Sequence, residues 1–156
     1  MSTDVYPQEE GAIFDANSYI LPCYPDDTIS EVSGVKMGTT VSGRISVAAG
    51  TVLGDSVGIA LKAATGTGAP TRIPVLFYGV CKLSIKATET VTSGTMCMNS
   101  ATPTLFTFAA SLGTNNFDTT CAGGGASYIM GMALQGGGGP AAARSDEILV
   151  LVGKCI

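Results

Sequence analysis

Histidine and tryptophan are absent from the 156 residues, and charged side chains make up only 13% of them. The missing imidazole removes the usual general base at neutral pH and the commonest neutral metal ligand. Charge is scarce, about half the share usual in a soluble domain. The net charge is −4, and none of the eight basic residues forms a run. Phosphate backbones demand clustered Lys and Arg, so nucleic acid is excluded as a partner. The five cysteines, at positions 23, 81, 97, 121 and 155, are odd in number and contain no C-x-x-C pair. They form neither a complete disulfide framework nor a zinc site, and read as free thiols acting as small core hydrophobes in a reducing cytosol. No membrane contact is expected. From Thr90 to Arg144 the only charge before Arg144 is Asp118, but Thr, Ser, Asn and Gly break every apolar run. A spanning helix needs about 20 mostly apolar residues. The opening Ser2-Thr3-Asp4, with Glu9 and Glu10 after it, has no basic region or apolar stretch of a signal peptide.

What is present is glycine, 21 of them, and a faint internal repeat. Gly43-Arg44-Ile45-Ser46-Val47 is echoed by Cys81-Lys82-Leu83-Ser84-Ile85, and Gly58-Ile59-Ala60-Leu61-Lys62 by Gly131-Met132-Ala133-Leu134-Gln135. A second apolar run follows each Gly-x-Ala-Leu, Ile73 to Leu76 in one copy and Ile148 to Leu151 in the other. The two elements lie 73 and 75 residues apart, nearly in register.

The chain is long enough for one domain with a sizeable core. From Val41 onward, apolar residues alternate at the period of a strand: Ile45 and Val47, Val57 and Ile59, Leu83 and Ile85. Arg72–Tyr78, Ser127–Leu134 and Glu147–Val152 read as further strands, with short ones at Val52-Leu53 and Met96 to Met98. At most a brief helix fits near Ala109–Leu112. Many short strands with Gly-rich turns predict an all-β fold, a compact barrel or sandwich with an internal duplication. Its expected extent is 39–156, with units of about 41–78 and 79–152. Residues 1–38 differ: Tyr6-Pro7, Leu21-Pro22 and Tyr24-Pro25 favour extended backbone, which predicts an extended N-terminal arm. Aromatic side chains are efficient at interfaces. Ile13, Phe14, Tyr19, Ile20 and Tyr24 are therefore the expected contacts to a partner or a neighbouring copy. A nearly chargeless insertion, 99–126, separates the second copy's elements, and its Phe106, Phe108 and Phe117 form a candidate interface loop.

Catalytic chemistry finds no support. Gly54-Asp55-Ser56 resembles the nucleophile block of a Gly-Asp-Ser esterase, but that chemistry needs a His, and the block reads as a tight turn. Ser84 shares the wet face of a strand with Lys82 and Lys86 rather than forming a dyad. The Gly123–Gly125 and Gly136–Gly139 runs lack the Gly-Lys-Ser/Thr of a phosphate cradle. Neighbouring carboxylates such as Asp26/Asp27 and Asp146/Glu147 diverge in extended chain, and Asp15, Asp26 and Asp27 lack EF-hand-like spacing for calcium. No enzyme activity, cofactor or metal is expected.

Three stretches carry a resemblance: Gly50-Thr51-Val52-Leu53-Gly54-Asp55-Ser56-Val57-Gly58-Ile59-Ala60-Leu61, Val75-Leu76-Phe77-Tyr78-Gly79-Val80, and Thr90-Val91-Thr92-Ser93-Gly94-Thr95. With the closing Gly131–Leu134 and Ile148–Val152 segments, they resemble the small capsid decoration (cement or head-stabilising) proteins of tailed bacteriophages, over residues 40–152. The resemblance implies a β-tulip-like domain that forms a homotrimer on the outer surface of the head. There it would bind the major capsid protein and bridge capsomers, after synthesis in the host cytoplasm. It transfers no active-site residues. The insertion and the arm depart from the shortest members. Two alternatives share the composition: another virion part, such as a head fibre or tail-associated protein, and a carbohydrate- or receptor-binding β module.

Overall fold

The structure is a computed structural model that describes residues 11–13, 18–39, 44–52, 55–65, 71–85, 89–108, 130–138 and 147–153. Among these residues it is all-β. The strands are β1 (Gly11–Ile13), β2 (Tyr19–Pro25), β3 (Ser33–Met37), β4 (Ser46–Ala49), β5 (Gly58–Ala60) and β6 (Ile73–Ser84). They continue with β7 (Thr90–Val91), β8 (Met96–Asn99), β9 (Phe106–Phe108), β10 (Gly131–Ala133), β11 (Gly137–Gly138) and β12 (Glu147–Val152). Ten of them join in one sheet of order β2-β4-β3-β5-β6-β12-β10-β8-β9, with β1 paired to β6, while β7 and β11 form a separate ladder.

The sheet closes on itself twice. β2 also pairs with β6, so β2, β4, β3, β5 and β6 form a ring in which only β2–β4 is parallel. On the other side β6, β12, β10, β8 and β9 follow one another, and an Ile85–Phe106 bridge returns β9 to the end of β6. The 12-residue β6 is therefore shared. Its first half pairs with β2 and β5, and its second half with β1 and β12. Gly79 stands at the changeover with φ +140°, and a Cβ there would meet Ser18 Oγ at 2.7 Å. Only glycine adopts such a backbone without strain.

Two cores follow from the alternation of side chains. Cys23, Val35, Val47, Ala60, Ile73 and Val75 pack together with Ile29 and Ala64 as the core of the first ring. Cys81, Leu83, Ile85, Cys97, Phe106, Ile148, Val150 and Val152 belong to the second core. Ile59 and Leu76 join that second core from the opposite face of β5 and β6, so one ring packs on the other. Complete burial of Ile59, Leu76 and Leu83 removes each from water at a gain of about 1.5–3 kcal/mol apiece.

The fold differs from the sequence expectations in definite places. No structural break falls at residue 38: β2 and β3 are members of the first ring, paired with β4, β5 and β6. Pro22 sits opposite Pro74, a pair that suits a position where the ladder makes no hydrogen bond, so prolines do not exclude this strand. The expected division at 78/79 runs through the middle of β6. Ile45 was expected inside a strand, but β4 begins at Ser46 and Ile45 is 48% exposed. Val52 is also exposed and lies outside the strands. The region near 109–112 lies outside the described residues.

Candidate functional site

The candidate site grows from β2. Parallel pairing sets Tyr24 beside Ser46, with the Tyr24 amide donating to Ile45 O at 3.0 Å. This brings Arg44, just before β4, over the Tyr24 ring, its Cζ 4.7 Å from the centroid. Arg72, just before β6, comes in as well. Its Nε donates to Tyr24 Oη at 3.1 Å, and its Cζ lies 5.2 Å from the same centroid. Guanidinium groups are attracted to the face of an aromatic ring, so one tyrosine organises two arginines. The Arg72 hydrogen bond is the largest effect and holds the Tyr24 hydroxyl below its ordinary value; desolvation opposes it, and the charges of Arg72 and then Arg44 add to the lowering.

Next to this cluster the acids are already engaged. Asp26 Oδ2 accepts from Ser46 Oγ at 3.0 Å, and Asp27 Oδ1 accepts from the Ala49 amide at 3.0 Å. Both carboxylates thus fasten β4 to the end of β2. Among the described residues no group of three His, Cys, Asp or Glu is placed to hold a metal.

A second exposed aromatic feature lies at the other end of β2. Tyr19 pairs with Tyr78 across the β2–β6 ladder, and the residues are 56% and 48% exposed. The register shifts between Tyr19 and Ile20, leaving Phe77 unpaired on β6. The extra residue is therefore on β6, and Tyr19 is exposed while Leu21 packs against the first core. The Tyr78 ring lies on Gly153, where a Cβ would meet its Cδ2 at 2.7 Å.

The expected contact residues are thus divided by the structure. Tyr19 and Tyr24 are accessible, whereas Ile20 packs against the second core. Ile13 lies in β1, paired to Val80, and Phe14 is outside the described residues. Phe106 is fully buried in the second core of its own chain, paired with Asn99 and bridged to Ile85, and so is not an exposed interface residue. Phe108 belongs to β9, and Phe117 lies outside the described residues.

Arg44, Arg72 and Tyr78 escaped sequence reasoning as site residues, because β2 joins segments 20 or more positions away. Asn99 escaped it too. This buried side chain accepts from the Ser56 amide at 3.1 Å through Oδ1. Its Nδ2 donates toward Gly50 O at 3.2 Å, Val52 O at 2.8 Å, Asp55 Oδ1 at 3.0 Å and Ser100 O at 3.1 Å. It pins Gly50, Val52, Asp55 and Ser56 to β8, a structural task, and Lys36 adds an ion pair to Asp55 at 3.5 Å.

Ser84, once a dyad candidate, lies across from Glu147, while Lys82 Nζ pairs with Glu147 Oε2 at 2.8 Å. Lys86, the lysine that the Ser84-x-Lys86 pattern would supply, lies outside the described residues. No helix of the described residues is long and apolar enough to cross a membrane. No protein-family model matches the chain, and no curated protein matches it.

Proposed function

We propose that the chain is a binding part rather than a catalyst: a capsid decoration protein on the outer surface of a viral head. It holds the major capsid protein, bridges capsomers and works as a homotrimer. The observation that carries this reading is the placement of exposed large apolar side chains on the first ring. Tyr19, Tyr78, Met37 and Ile45 all stand on, or next to, strands fixed by pairing on both sides. Preorganised aromatic and aliphatic contacts lose little entropy on binding. A trimer that sets three such footholds on one lattice gains avidity, because the second and third contacts are intramolecular. Low charge favours burying this surface in an assembly.

The copy number of the chain in purified virions, relative to the major capsid protein, tests the reading. Hundreds of copies in simple ratio support it. A handful moves the chain to a fibre, vertex or tail, and complete absence discards it.

One observation favours a second reading. Two neighbouring exposed tyrosines, Tyr19 and Tyr78, make a stacking platform of the kind that binds sugar rings. A glycan array with the wild type and Tyr78→Ala separates the two, since a carbohydrate module loses a specific signal in the variant and a decoration protein shows none.

A further inference from the structure

Of the five described cations, Lys36 meets Asp55 and Lys82 meets Glu147, while Arg44, Lys62 and Arg72 make no ion pair among the described residues. Arg44 and Arg72 are set apart by sharing one aromatic partner. Neither makes an ion pair among the described residues, although the chain carries 12 acidic residues against eight basic ones. Both are exposed, and both are gathered on Tyr24. Their distances to one ring centroid, 4.7 and 5.2 Å, place the two guanidinium carbons within about 10 Å of each other. Two like charges gathered on one ring, with no ion pair among the described residues, form a cationic spot that an anion would complement.

We propose that Tyr24, Arg44 and Arg72 form a docking site for carboxylates on an acidic segment of a partner protein. The donor geometry is suited to it. Arg72 commits Nε to the tyrosine hydroxyl, which leaves its two Nη groups to grip a carboxylate side by side. Arg44 lies on the ring rather than in a hydrogen bond from Nε, so its donor fork remains available to a second carboxylate oxygen. The tyrosine restricts both long side chains before the ligand arrives, which lowers the entropic cost of binding. The cluster joins two arginines to an aromatic ring, residue types enriched in interface hot spots.

Charge complementarity selects a protein partner over a phosphate polymer. Polyanions bind through rows of cations, whereas this cluster gathers two among the described residues. A short acidic segment needs no more than the two forks. The site rests on the decoration reading only for the identity of the partner, which would then be an acidic stretch of the shell.

The test uses the full chain and a hexaglutamate peptide at low salt, followed through the Arg Nε and Tyr ring signals in NMR, with hexalysine and inorganic hexametaphosphate in parallel. The expected result is saturable shifts confined to Tyr24, Arg44 and Arg72 with hexaglutamate. They weaken about tenfold in Arg44→Ala or Arg72→Ala, which corresponds to about 1.4 kcal/mol each, and fade with salt. Lys at either position restores charge but not the fork, and recovers only part of the binding. No saturable shift with hexaglutamate overturns the proposal, as does binding untouched by the double alanine variant at an unchanged melting temperature. Equal or tighter binding of hexametaphosphate overturns its carboxylate preference. The virion copy number reads the decoration proposal separately. Glutamate binding at the cluster in a chain absent from virions leaves this site standing and removes the shell. Decoration of heads with no glutamate binding does the reverse.

Discussion

Gly58 and Gly131 occupy the same place in two strand pairs, β5–β6 and β10–β12. Gly58 opens β5, and a Cβ on it would lie 2.9 Å from Leu76 O of β6. Gly131 opens β10, and a Cβ on it would overlap the Leu151 carbonyl of β12, with its carbon at 2.9 Å. The pairings that follow are equivalent as well. Ile59 pairs with Leu76 and Met132 with Leu151; Ala60 pairs with Val75 and Ala133 with Val150. The Leu61 amide donates to Pro74 O at 2.9 Å, and the Leu134 amide to Leu149 O at 2.8 Å.

Adding a methyl at either glycine forces two backbones apart, a small-to-large change in a packed place that costs about 1–3 kcal/mol. Gly131→Ala is expected at the upper end, about 3 kcal/mol, because the obstacle is a carbonyl group with nowhere to move. Gly58→Ala is expected nearer about 1 kcal/mol, because the Leu76 carbonyl oxygen lies 2.9 Å from its Cβ position and is not overlapped. Urea unfolding midpoints measure both. Equal midpoints for the two variants would show that the close approach at Gly131 relaxes freely.

The Asn99 amide gives a second expectation. Its Nδ2 faces four oxygens with two hydrogens to share, and its Oδ1 holds the Ser56 amide. Asn99→Ala strands buried acceptors and a donor, at a cost of about 2–3 kcal/mol. Asn99→Asp costs more, since it aims an acceptor at four others. The neighbouring Ser56 Oγ has no partner among the described residues and is buried. Ser56→Ala is therefore expected to stabilise by about 1 kcal/mol. Thermal unfolding of the three variants measures the order, and a destabilised Ser56→Ala would show that the hydroxyl has a partner after all.

Much of this fold was legible in the sequence, because the signals were local. Alternation and Gly-rich turns marked β6, β8, β10 and β12, and the 73- and 75-residue offsets of the repeat recur as the β5–β6 and β10–β12 registers. The first echo did not survive in the same way: Ser46–Val47 pairs with β2 and β3, whereas Cys81–Ser84 pairs with β1 and β12. Residues 19–25 were read as extended, which they are, but as an arm. Nothing within seven residues can reveal that the partner strand begins at Ile73. The site suffered most from this. Tyr24 stood out as an aromatic near proline, but the arginines that define its chemistry arrive from two other strands, and only the closed ring brings them together.

Tyr24 should ionise below the ordinary tyrosine value. Its folded value is held down from the ordinary value near 10 by the Arg72 hydrogen bond first and the two arginine charges after it. Ionisation therefore favours the folded chain above the ordinary tyrosine range, and contributes nothing at neutral pH, where the phenol is protonated in both states. Absorbance titration at 295 nm, with Tyr24→Phe to identify the early component, reads this directly. Arg72→Ala should move that component upward, and Arg44→Ala should move it less. An early component unchanged by Arg72→Ala would assign the shift to something other than the hydrogen bond.

The buried thiols act with the opposite sign. Burial pushes Cys81 from about 9 up to about 12, against a smaller opposing effect of its Lys82 backbone hydrogen bond. Cys97 is pushed higher still, by burial first and then by the Glu89 charge and Cys81, and Cys23 is raised by burial alone. A thiol raised on folding prefers to stay protonated in the folded chain, so its contribution is complete below about 9. That contribution is lost as pH rises toward the folded value. Each such thiol steepens the alkaline loss by up to about 1.4 kcal/mol per pH unit. Urea midpoints between pH 8 and 10.5 are therefore expected to fall. The fall should be shallower in Cys81→Ala and Cys97→Ala, whatever the cavity each leaves at neutral pH, because the cavity term does not titrate. In parallel, a thiol reagent at pH 8 should leave Cys23, Cys81 and Cys97 unmodified in the folded chain and label all three in urea. Native labelling of Cys97 at the rate of a free thiol would mean that the second ring opens far more readily than its packing implies.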